Sequence, residues 1–478
     1  MLDKLRESGV RLALDAEPLV QQGSDALLSE LVSLNKPMLS KQDVLDAIER
    51  VSAMKVEVIR SRERPLAAEH PADIKILHHL DVTGKSRTTG SVGDFVAYFR
   101  NRYTRISRIL QASPSQFTTS QLGDIKRDIN QKVRVIAMIS EKADTKNGNI
   151  LLNIEDPTGS FKAVVSRKYE NTFKKARNIM RDDIISISGK VLDPFIIVED
   201  IEWPDLPVTR ERKTSENDLA CAYISDIHFG SRHFVEKYFE RFTSWLNQKG
   251  PQKELAGKVK YLFVAGDVVD GIGIYPNQEK DLVIRDVYKQ YELFDNFVEM
   301  LPDHIEVIVS PGNHDAVRRA EPMPALDESM IKSDVVRVGN PSWVSVEGFK
   351  HLIYHATSFD SMVSNIPGMS YSAPEKVMVE YLKRRHLSPV YGGNLIVPER
   401  IDYLVIEEEP DVFHCGHVHK NGYSFYRGTH VVNSGTFQDT TDFQLKQGHV
   451  PSPGIAGVLE MKTGTFKTMD FTQEGGVG

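Results

Sequence analysis

Polar side chains of the metal-binding type follow five apolar segments in the second half of the chain. The segments are LACAYISDIH, VKYLFVAGD, IEVIVSPGNHD, HLIYHA and DVFHCGHVH. Each is typical of a buried strand that is followed by polar groups at its carboxyl end. The polar residues at these ends are Asp226, His228, Asp267, Asn313, His314, His355, His417 and His419. Carboxylate, amide and imidazole groups without a thiolate favour manganese, iron or zinc over calcium.

The five segments together are stronger evidence for a metal site than any one of them, because each short motif can occur by chance. Open α/β sheets collect their sites at the carboxyl ends of the strands, so we expect the five ends to converge. His314 directly follows Asn313, and adjacent turn residues point in different directions, which favours an acid role over a ligand role for His314. The other seven donors suit two ions about 4 Å apart that share one carboxylate.

The composition limits the class of protein. The chain has 478 residues, of which 40% are hydrophobic and 26% are charged, as in a globular protein of two to four domains. Its 59 lysines and arginines are outnumbered by 66 acidic residues, and the net charge of −7 excludes a bulk-basic nucleic-acid binder. Any DNA contact must therefore come from a local basic patch or from a partner, because phosphates are neutralised by nearby cations.

Location is predicted to be cytoplasmic. The two cysteines, Cys221 and Cys415, are too few to staple a chain of this size and are expected to be inert thiols in a reducing compartment. The residues after Met1 mix charges throughout and lack the apolar core of a signal peptide. No run approaches the roughly 18 apolar residues of a membrane span.

Residues 1–60 are predicted to form a small helical domain. Ser24 could cap DALLSELVSL, and Ser40 could cap KQDVLDAIERVSAM, with Asp43 at the acidic position of a capping box. Residues 61–125 are interpreted as a linker followed by a basic amphipathic helix, with a little structure in IKILHHL.

The helix predicted over residues 95–110, FVAYFRNRYTRISRIL, interleaves aromatic side chains with four arginines. These are Arg100, Arg102, Arg105 and Arg108. Such a helix could contact nucleic acid. It could also dock on a neighbouring domain through apolar residues, and we favour this second interpretation. The docking residues would be Phe95, Tyr98, Phe99 and Ile106.

Residues 126–206 are predicted to form a five-stranded OB-type barrel. The strands are VRVIAMIS, NILLNIED, FKAVVSR, DIISISGKVL and FIIVEDIEW, with a helix-like gap at KYENTFKKARNIM. An OB barrel can bind single strands or serve as a scaffold. We favour the scaffold, because the segment shows neither a strongly basic surface nor a row of aromatic residues. The charged stretch PVTRERKTSEND, residues 207–218, would connect the barrel to a last domain over 218–472.

The ordered motifs D-x-H, G-D-x-x-D, G-N-H-D, a lone histidine and G-H-x-H resemble those of calcineurin-like metallophosphoesterases. The stretches GDVVDGIGIYPNQ, PGNHDAVRRAEP and HCGHVHKNGY are similar to the small subunits of archaeal family-D DNA polymerases. This resemblance covers most of residues 91–460, and Met323 departs from it, where a glutamine is expected. It implies a multidomain chain of α/β and β parts. A metallophosphoesterase α/β sandwich would be preceded by an OB-fold barrel and a small helical N-terminal domain.

The resemblance also implies roles for the site residues. Asp226, His228 and His419 would hold one divalent metal ion, and Asn313, His355 and His417 the other. Asp267 would bridge the two ions, for which manganese is preferred and iron or zinc are alternatives. His314 would protonate the leaving 3′ oxygen or stabilise the charge that develops there.

Four further residues have open roles. Asp270 is expected to support a ligand rather than bind metal. Asp315 could orient His314 or hold the following turn. Arg318 and Arg319 could clamp a phosphate or remain solvated loop charges.

By resemblance the chain is a 3′–5′ exonuclease that removes single-stranded or mispaired DNA ends. It would be one subunit of a two-subunit replicative polymerase, bound to DNA and to the large catalytic subunit that polymerises. The first alternative is a non-catalytic scaffold with a vestigial nuclease. Eukaryotic polymerase B-subunits have lost the ligands that this chain keeps, which argues against it. The second alternative is a stand-alone phosphomonoesterase or cyclic-nucleotide diesterase, against which the appended barrel argues.

Overall fold

The structure is a computed structural model. It describes residues 2–8, 10–13, 16–20, 25–34, 36, 38–48, 65–441, 444–445, 448 and 450–473. The chain divides into two compact units, Met1–Pro65 and Leu66–Gly478. Within the described residues, no helix is both long enough and apolar enough to cross a membrane.

The first unit combines short helices with one pair of very short strands. Its elements are α1 (Leu2–Glu7), β1 (Arg11–Leu12), α2 (Asp25–Ser33), β2 (Met38–Leu39) and α3 (residues 41–48). The predicted capping box at the start of α3 is confirmed, because Ser40 N donates to Asp43 Oδ2 (2.8 Å) and Asp43 N to Ser40 Oγ (3.3 Å). The predicted Ser24 cap and residues 49–60 lie outside the described residues. The parallel pairing of β1 with β2 was not predicted, because two-residue strands carry no periodicity.

A closed five-stranded barrel follows in the second unit. Its elements are β4 (Lys132–Asp144), β5 (Ile150–Asp156), β6 (Gly159–Val165), α5 (Glu170–Arg177), β7 (Ile184–Val191) and β8 (Phe195–Glu202). The strand order is β4-β5-β6-β8-β7, and β7 pairs back to β4. Alternate residues of β5 are buried, since one face of each strand points into the barrel. The barrel confirms the predicted OB-type fold.

Helix α4 (Val92–Ala112) precedes the barrel and is docked through two buried arginines. Arg102 Nε lies 2.7 Å from Asp402 Oδ2, and Arg105 Nη2 lies 2.8 Å from Glu407 Oε2. Tyr98 is fully buried beside Arg102. These contacts confirm that the helix docks within the fold, because the buried guanidiniums are committed to protein carboxylates.

Replacing Arg102 by alanine is expected to lower the free energy of unfolding by about 3–5 kcal/mol. The change leaves the Asp402 carboxylate buried without its guanidinium partner. Chemical denaturation measures the loss. Arg100 on the same helix is exposed, so Arg100→Ala serves as the control and should change stability by less than about 0.5 kcal/mol. Equal effects in the two variants would contradict the docking.

The rest of the second unit is built on two six-stranded sheets. The first contains β9 (Ala220–Ile224), β10 (Val259–Ala265), β11 (Glu306–Ser310), β12 (Val336–Arg337), β18 (Ile455–Glu460) and β19 (Thr465–Asp470), in the order β12-β11-β10-β9-β18-β19. The second contains β3 (Ile74–Ile76), β13 (Ser342–Val346), β14 (Phe349–Tyr354), β15 (Val412–Cys415), β16 (Asn421–Tyr426) and β17 (Thr429–Ser434), in the order β16-β17-β15-β14-β13-β3.

The two sheets pack face to face and carry helices on their outer faces. Apolar residues from both sheets share one core, in which Tyr223, Phe263 and Phe349 are fully buried. The helices are α6 (Glu236–Leu246), α7 (Lys253–Ala256), α8 (Val287–Glu299), α9 (Phe359–Asn365) and α10 (Pro374–Arg384). This arrangement confirms the predicted α/β sandwich.

Strand β3 lies in the segment that the sequence predicted to be a linker. It pairs antiparallel with β13, with Ile76 opposite Val344. Residues 74–76 therefore belong to the edge of the second sheet. The predicted structure within IKILHHL is confirmed, but its pairing with β13 was not predicted, because a three-residue strand is too short to show an alternating pattern.

Candidate metal centre

The site lies where strands of both sheets end. Strands β9, β10 and β11 are parallel neighbours in the first sheet, and β14 and β15 are parallel neighbours in the second. The turn after each of these strands supplies one or two of the predicted residues. Parallel strands present their carboxyl ends at a common edge, which explains how residues distant in sequence meet.

Three groups of donor atoms occur in this region, each with its ligand atoms within 4.8 Å of one another. They are Asp226–His228–His419, His228–Asp267–His314 and Asp267–His355–His417. Asn313 completes the set, since its Oδ1 lies 3.1 Å from His355 Nε2. The structure therefore brings all seven predicted ligands and His314 into one place.

Asp267 lies between two halves of the donor set. Its Oδ2 is 3.1 Å from His355 Nε2 on one side and 3.8 Å from His228 Nε2 on the other. Beyond His228, the Nε2 atom of His419 lies 3.3 Å from Asp226 Oδ1. One buried carboxylate thus contacts donors of both halves, which is the arrangement that a shared ligand requires.

The backbone adopts an uncommon conformation at five of these residues. The φ angles are 51° at Asp226, 56° at His228, 51° at Asp267, 73° at His417 and 55° at His419. Non-glycine residues rarely occupy this left-handed region, and each instance costs on the order of 1–3 kcal/mol. Such strain concentrates at functional sites, where it directs side chains that relaxed turns would point apart.

Two glycines allow the turns to approach closely. A Cβ atom on Gly312 would overlap Asp267 Oδ1 and lie 2.6 Å from Asp267 N. A Cβ atom on Gly416 would lie 2.5 Å from Asp226 Oδ2. The G-N-H-D and G-H-x-H motifs thus need glycine for steric reasons, because these carboxylates fill the space of a side chain.

Gly312→Ala is expected to weaken the binding of divalent cations by about 10- to 100-fold, because the new methyl group displaces the Asp267 carboxylate. Titration calorimetry with Mn²⁺ measures the affinity. Gly93→Ala is the matched control, since its Cβ would meet only Ser91 Oγ at 3.6 Å on helix α4. Unchanged affinity in Gly312→Ala would show that Asp267 is not a ligand.

Further buried groups fix the orientation of the histidines. Asp270 Oδ1 lies 3.0 Å from His228 Nδ1, and Gln278 and Gln438 donate to the Asp270 carboxylate at 3.1 and 2.9 Å. His355 Nδ1 lies 2.8 Å from the Ala265 carbonyl oxygen, which leaves Nε2 directed into the site. The supporting role predicted for Asp270 is confirmed. No role was predicted for the two glutamines, although Gln278 ends the stretch GDVVDGIGIYPNQ, because local sequence does not show which side chains meet at Asp270.

His314 stands at the mouth of the site. Its side chain is 16% exposed, and its Nε2 lies 4.0 Å from Asp267 Oδ2. Nδ1 is 2.8 Å from the Asp270 carbonyl oxygen, to which it donates, so Nε2 faces the other donors. His314 N also donates to Asp267 Oδ1 (2.8 Å), which ties the turn to the carboxylate.

Asp315 does not contact the His314 side chain. Its Oδ2 accepts from Gly312 N (2.8 Å), and its Oδ1 accepts from the Tyr291 hydroxyl (3.0 Å). Burial, together with the nearby Asp267 carboxylate, raises the pKa of Asp315 to about 6. Asp315 therefore holds the turn, and the interpretation that it orients His314 is wrong. A carboxylate directly after His314 could accept a hydrogen bond either from the backbone of the turn or from the histidine ring. The sequence alone therefore agrees with both roles.

The two arginines after this turn differ. Arg318 is engaged by the protein, since its Nε donates to Pro322 O (2.9 Å) and its Nη2 lies 3.3 Å from Glu399 Oε1. Arg319 is exposed, and its Nη2 donates to Gly273 O (2.8 Å). Arg319 is thus the better placed of the two to meet a phosphate.

The carboxylate and imidazole groups of the site shift one another's pKa values. Burial alone would raise the pKa of Asp267, but His355 and His314 outweigh it and hold this pKa well below its usual value. Burial alone would lower the pKa of His355, but the Asp267 carboxylate outweighs it and raises this pKa to about 10. Asp267 is therefore ionised and His355 protonated near neutral pH, so a cation that binds His355 must displace a proton. The donors are oxygen and imidazole nitrogen, which fit divalent ions of the manganese, iron and zinc type.

His351 lies beneath the site in the core and is not a ligand. Its Nε2 is 2.9 Å from the Tyr223 hydroxyl, and its ring stacks on Phe263 with centroids 4.3 Å apart. Burial lowers the pKa of His351 to about 3. The unfolded chain therefore takes up this proton first as the pH falls below about 6.5.

We expect the folded protein to lose stability as the pH falls from about 6.5 to about 3, partly through His351. His351→Phe keeps the stacking and removes the titrating group, so its denaturation midpoint should depend less steeply on pH than that of the wild type. His79→Gln is the control, because the side chain of His79 is 69% exposed. An unchanged slope in His351→Phe would contradict the assignment.

Comparison with known proteins supports the metallophosphoesterase fold and finds relatives that match most of the chain. Residues 221–421 match the model of the calcineurin-like phosphoesterase family. The DNA polymerase II small subunit of Archaeoglobus fulgidus is 39% identical over 456 residues, which cover 93% of this chain and 92% of the relative. The proteins of the same name from Methanocaldococcus jannaschii and Methanothermobacter thermautotrophicus are 40% and 39% identical. Each of these two matches covers 85% of this chain, with 70% and 84% of the respective relative. The residues matched by the family model include all seven donors and His314.

Proposed function

Because the chain belongs to the family of archaeal DNA polymerase II small subunits, we propose that it is a metal-dependent 3′–5′ exonuclease of a replicative DNA polymerase. Its substrates would be single-stranded or mispaired 3′ ends of DNA. The observation that carries the proposal is the convergence of seven donors, among which the Asp267 carboxylate lies between His355 and His228. A phosphodiesterase site needs such a set, whereas a scaffold does not.

In this proposal the donor set is divided between two cations. Asp226, His228 and His419 would hold one ion, and Asn313, His355 and His417 would hold the other. Asp267 would be shared between them. Bound divalent cations supply a water that ionises near neutral pH and positive charge for the phosphate oxygens. Manganese is the preferred ion, and iron and zinc also accept this mixture of oxygen and nitrogen donors.

The protein's own residues handle the leaving group. Hydrolysis joins the oxygen of water to phosphorus and breaks the bond from phosphorus to the 3′ oxygen of the preceding nucleotide. That oxygen takes up a proton, and the products are a 5′-mononucleotide and a strand one nucleotide shorter. His314 donates the proton from Nε2, while its Nδ1–H stays bonded to the Asp270 carbonyl, which fixes the ring.

The large catalytic subunit of the polymerase would be the partner of this chain. A net charge of −7 leaves little non-specific attraction to DNA, so the partner would supply much of the DNA-binding surface. A purely structural role is the second candidate, favoured by the firm attachment of the barrel to the sandwich. Asp183 at the barrel lies 2.9 Å from Arg384 of α10, and both side chains are buried.

A nuclease assay separates these functions. The substrate is a 5′-labelled primer on a template with a mismatched 3′ end, and the full chain is tested with Mn²⁺ and with a chelator. We expect stepwise shortening from the 3′ end in Mn²⁺ only. If the primer is not shortened, either by the chain alone or together with the large subunit, the structural role is the remaining candidate. Rapid hydrolysis of a small phosphomonoester without action on DNA would indicate a stand-alone phosphatase.

A further inference from the structure

A loop over residues 271–277 forms the rim beside His314. A Cβ atom on Gly271 would meet the carbonyl oxygen of His314, so the loop passes directly over this residue. The Tyr275 ring is half-buried, and its centroid lies 6.4 Å from that of His314. Ile272 on the same loop is 49% exposed. The residue proposed to protonate the leaving group is therefore bordered by aromatic and aliphatic surface.

Buried glutamines hold this loop in place. Gln278 Oε1 accepts from Ile274 N (2.9 Å), and Gln278 Nε2 donates to the Asp270 carbonyl oxygen (2.7 Å). Gln290 Oε1 accepts from Gly271 N (2.9 Å). The Tyr275 hydroxyl donates to Asp281 Oδ2 (3.0 Å). The rim is thus anchored to Asp270, which also orients His228, so it needs little ordering when a substrate binds.

A cation completes the rim. Arg319 is exposed and donates one N–H to the carbonyl oxygen of Gly273 in this loop. A guanidinium has five N–H donors, so a fixed Arg319 can also bind a phosphate oxygen. An aromatic ring beside a fixed cation is the usual means by which proteins bind single-stranded DNA, since bases stack on the ring and phosphates meet the cation.

We propose that residues 271–277 and Arg319 form a subsite for the penultimate nucleotide of a DNA strand, with Tyr275 stacking on its base. This inference rests on the proposed exonuclease function. The leaving 3′ oxygen belongs to the penultimate nucleotide, and His314, which meets that oxygen, lies beside Tyr275. A base within a duplex is covered on both faces by its neighbours. The subsite therefore selects strands whose last two nucleotides are unpaired.

The first test combines changes in the enzyme and in the substrate. Single-stranded oligonucleotides carry one abasic position, at which the base is missing and the backbone is intact. This base gap, called the gap below, lies at the penultimate nucleotide or six nucleotides from the 3′ end. For the wild type, the penultimate gap should raise KM about tenfold, with kcat nearly unchanged, and the distant gap should have no effect. Tyr275→Ala should raise KM about tenfold on the intact strand and be insensitive to either gap. Tyr275→Trp should restore the sensitivity, and Tyr288→Ala, on the exposed side of α8, should behave as wild type.

The second test measures binding without turnover. An oligonucleotide with 2-aminopurine at the penultimate position is titrated with the full chain in chelator at low salt. Stacking on Tyr275 should quench its fluorescence, and Tyr275→Ala should abolish the quenching. Equal quenching in the two proteins, or equal KM for the intact and gapped strands, would overturn the subsite.

Failure of the subsite is distinguishable from failure of the proposed function. Hydrolysis of bis-(p-nitrophenyl) phosphate by the wild type needs no nucleotide, so it reports the phosphodiesterase centre independently of the subsite. If the wild type degrades DNA but ignores the penultimate gap, only the subsite is wrong. If the wild type hydrolyses neither DNA nor the small diester, the exonuclease proposal fails, and the fluorescence titration still decides whether Tyr275 binds a base.

Discussion

Asp267→Asn is expected to lower kcat on DNA by about a thousandfold or more. The Asp267 carboxylate lies between His355 and His228 and, in the proposed centre, would be shared by the two cations. An amide of the same shape has no negative charge and one fewer oxygen, so it cannot hold two positive ions together. Loss of a single preorganised group that stabilises a transition state costs about 10²–10³ in rate, and here the cations would be lost as well.

The Asp267→Asn substitution should weaken the binding of Mn²⁺ as well as lower kcat. Mn²⁺ should raise the thermal midpoint of the wild type and leave that of Asp267→Asn nearly unchanged, because a ligand stabilises only a state that binds it. Asp303→Asn removes an exposed carboxylate outside the site and is the control. A variant at Asp267 that keeps both the midpoint shift and the nuclease activity would refute the bridging role.

His314→Gln is expected to lower kcat on DNA by about 10²–10⁴-fold while the cations remain bound. His314 Nε2 lies 4.0 Å from Asp267 Oδ2, and its Nδ1 is fixed by the Asp270 carbonyl. A 3′ alkoxide is a poor leaving group that needs a proton as the bond to phosphorus breaks. The p-nitrophenolate ion leaves without one, so hydrolysis of a p-nitrophenyl diester should be lowered much less.

The comparison of the two substrates separates an acid from a ligand. His314 also lies within one of the three donor groups, with His228 and Asp267. If His314 were a ligand, His314→Gln would weaken Mn²⁺ binding and slow both substrates equally. His233→Gln is a suitable control, because His233 is partly exposed and pairs with Asp281 rather than with the donor set.

The sequence predicted the donors because of where they stand along the chain. Asp226, Asp267 and His355 each follow an apolar strand, and the carboxyl ends of parallel strands meet in space. The sequence could not show that the five strands come from two sheets, three from one and two from the other, since strand order depends on long-range pairing. The barrel was also predictable from local sequence, because turn residues clearly separate its strands.

Other features of the site have no local signature. Gln278 and Gln438 meet at Asp270 although they are 160 residues apart in sequence. The contacts of Asp315 could be assigned only once Gly312 and Tyr291 were seen beside it. The burial of Arg102 depends on Asp402, 300 residues away. Each of these outcomes rests on tertiary partners that a window of sequence does not contain.

Anomalous diffraction at the manganese edge, from crystals of the full chain grown in Mn²⁺, tests the central claim most directly. We predict two peaks, one bounded by Asp226, His228 and His419 and the other by Asn313, His355 and His417. Asp267 should contact both ions. A single peak, no peak, or two peaks that do not share Asp267 would contradict a dinuclear phosphodiesterase centre.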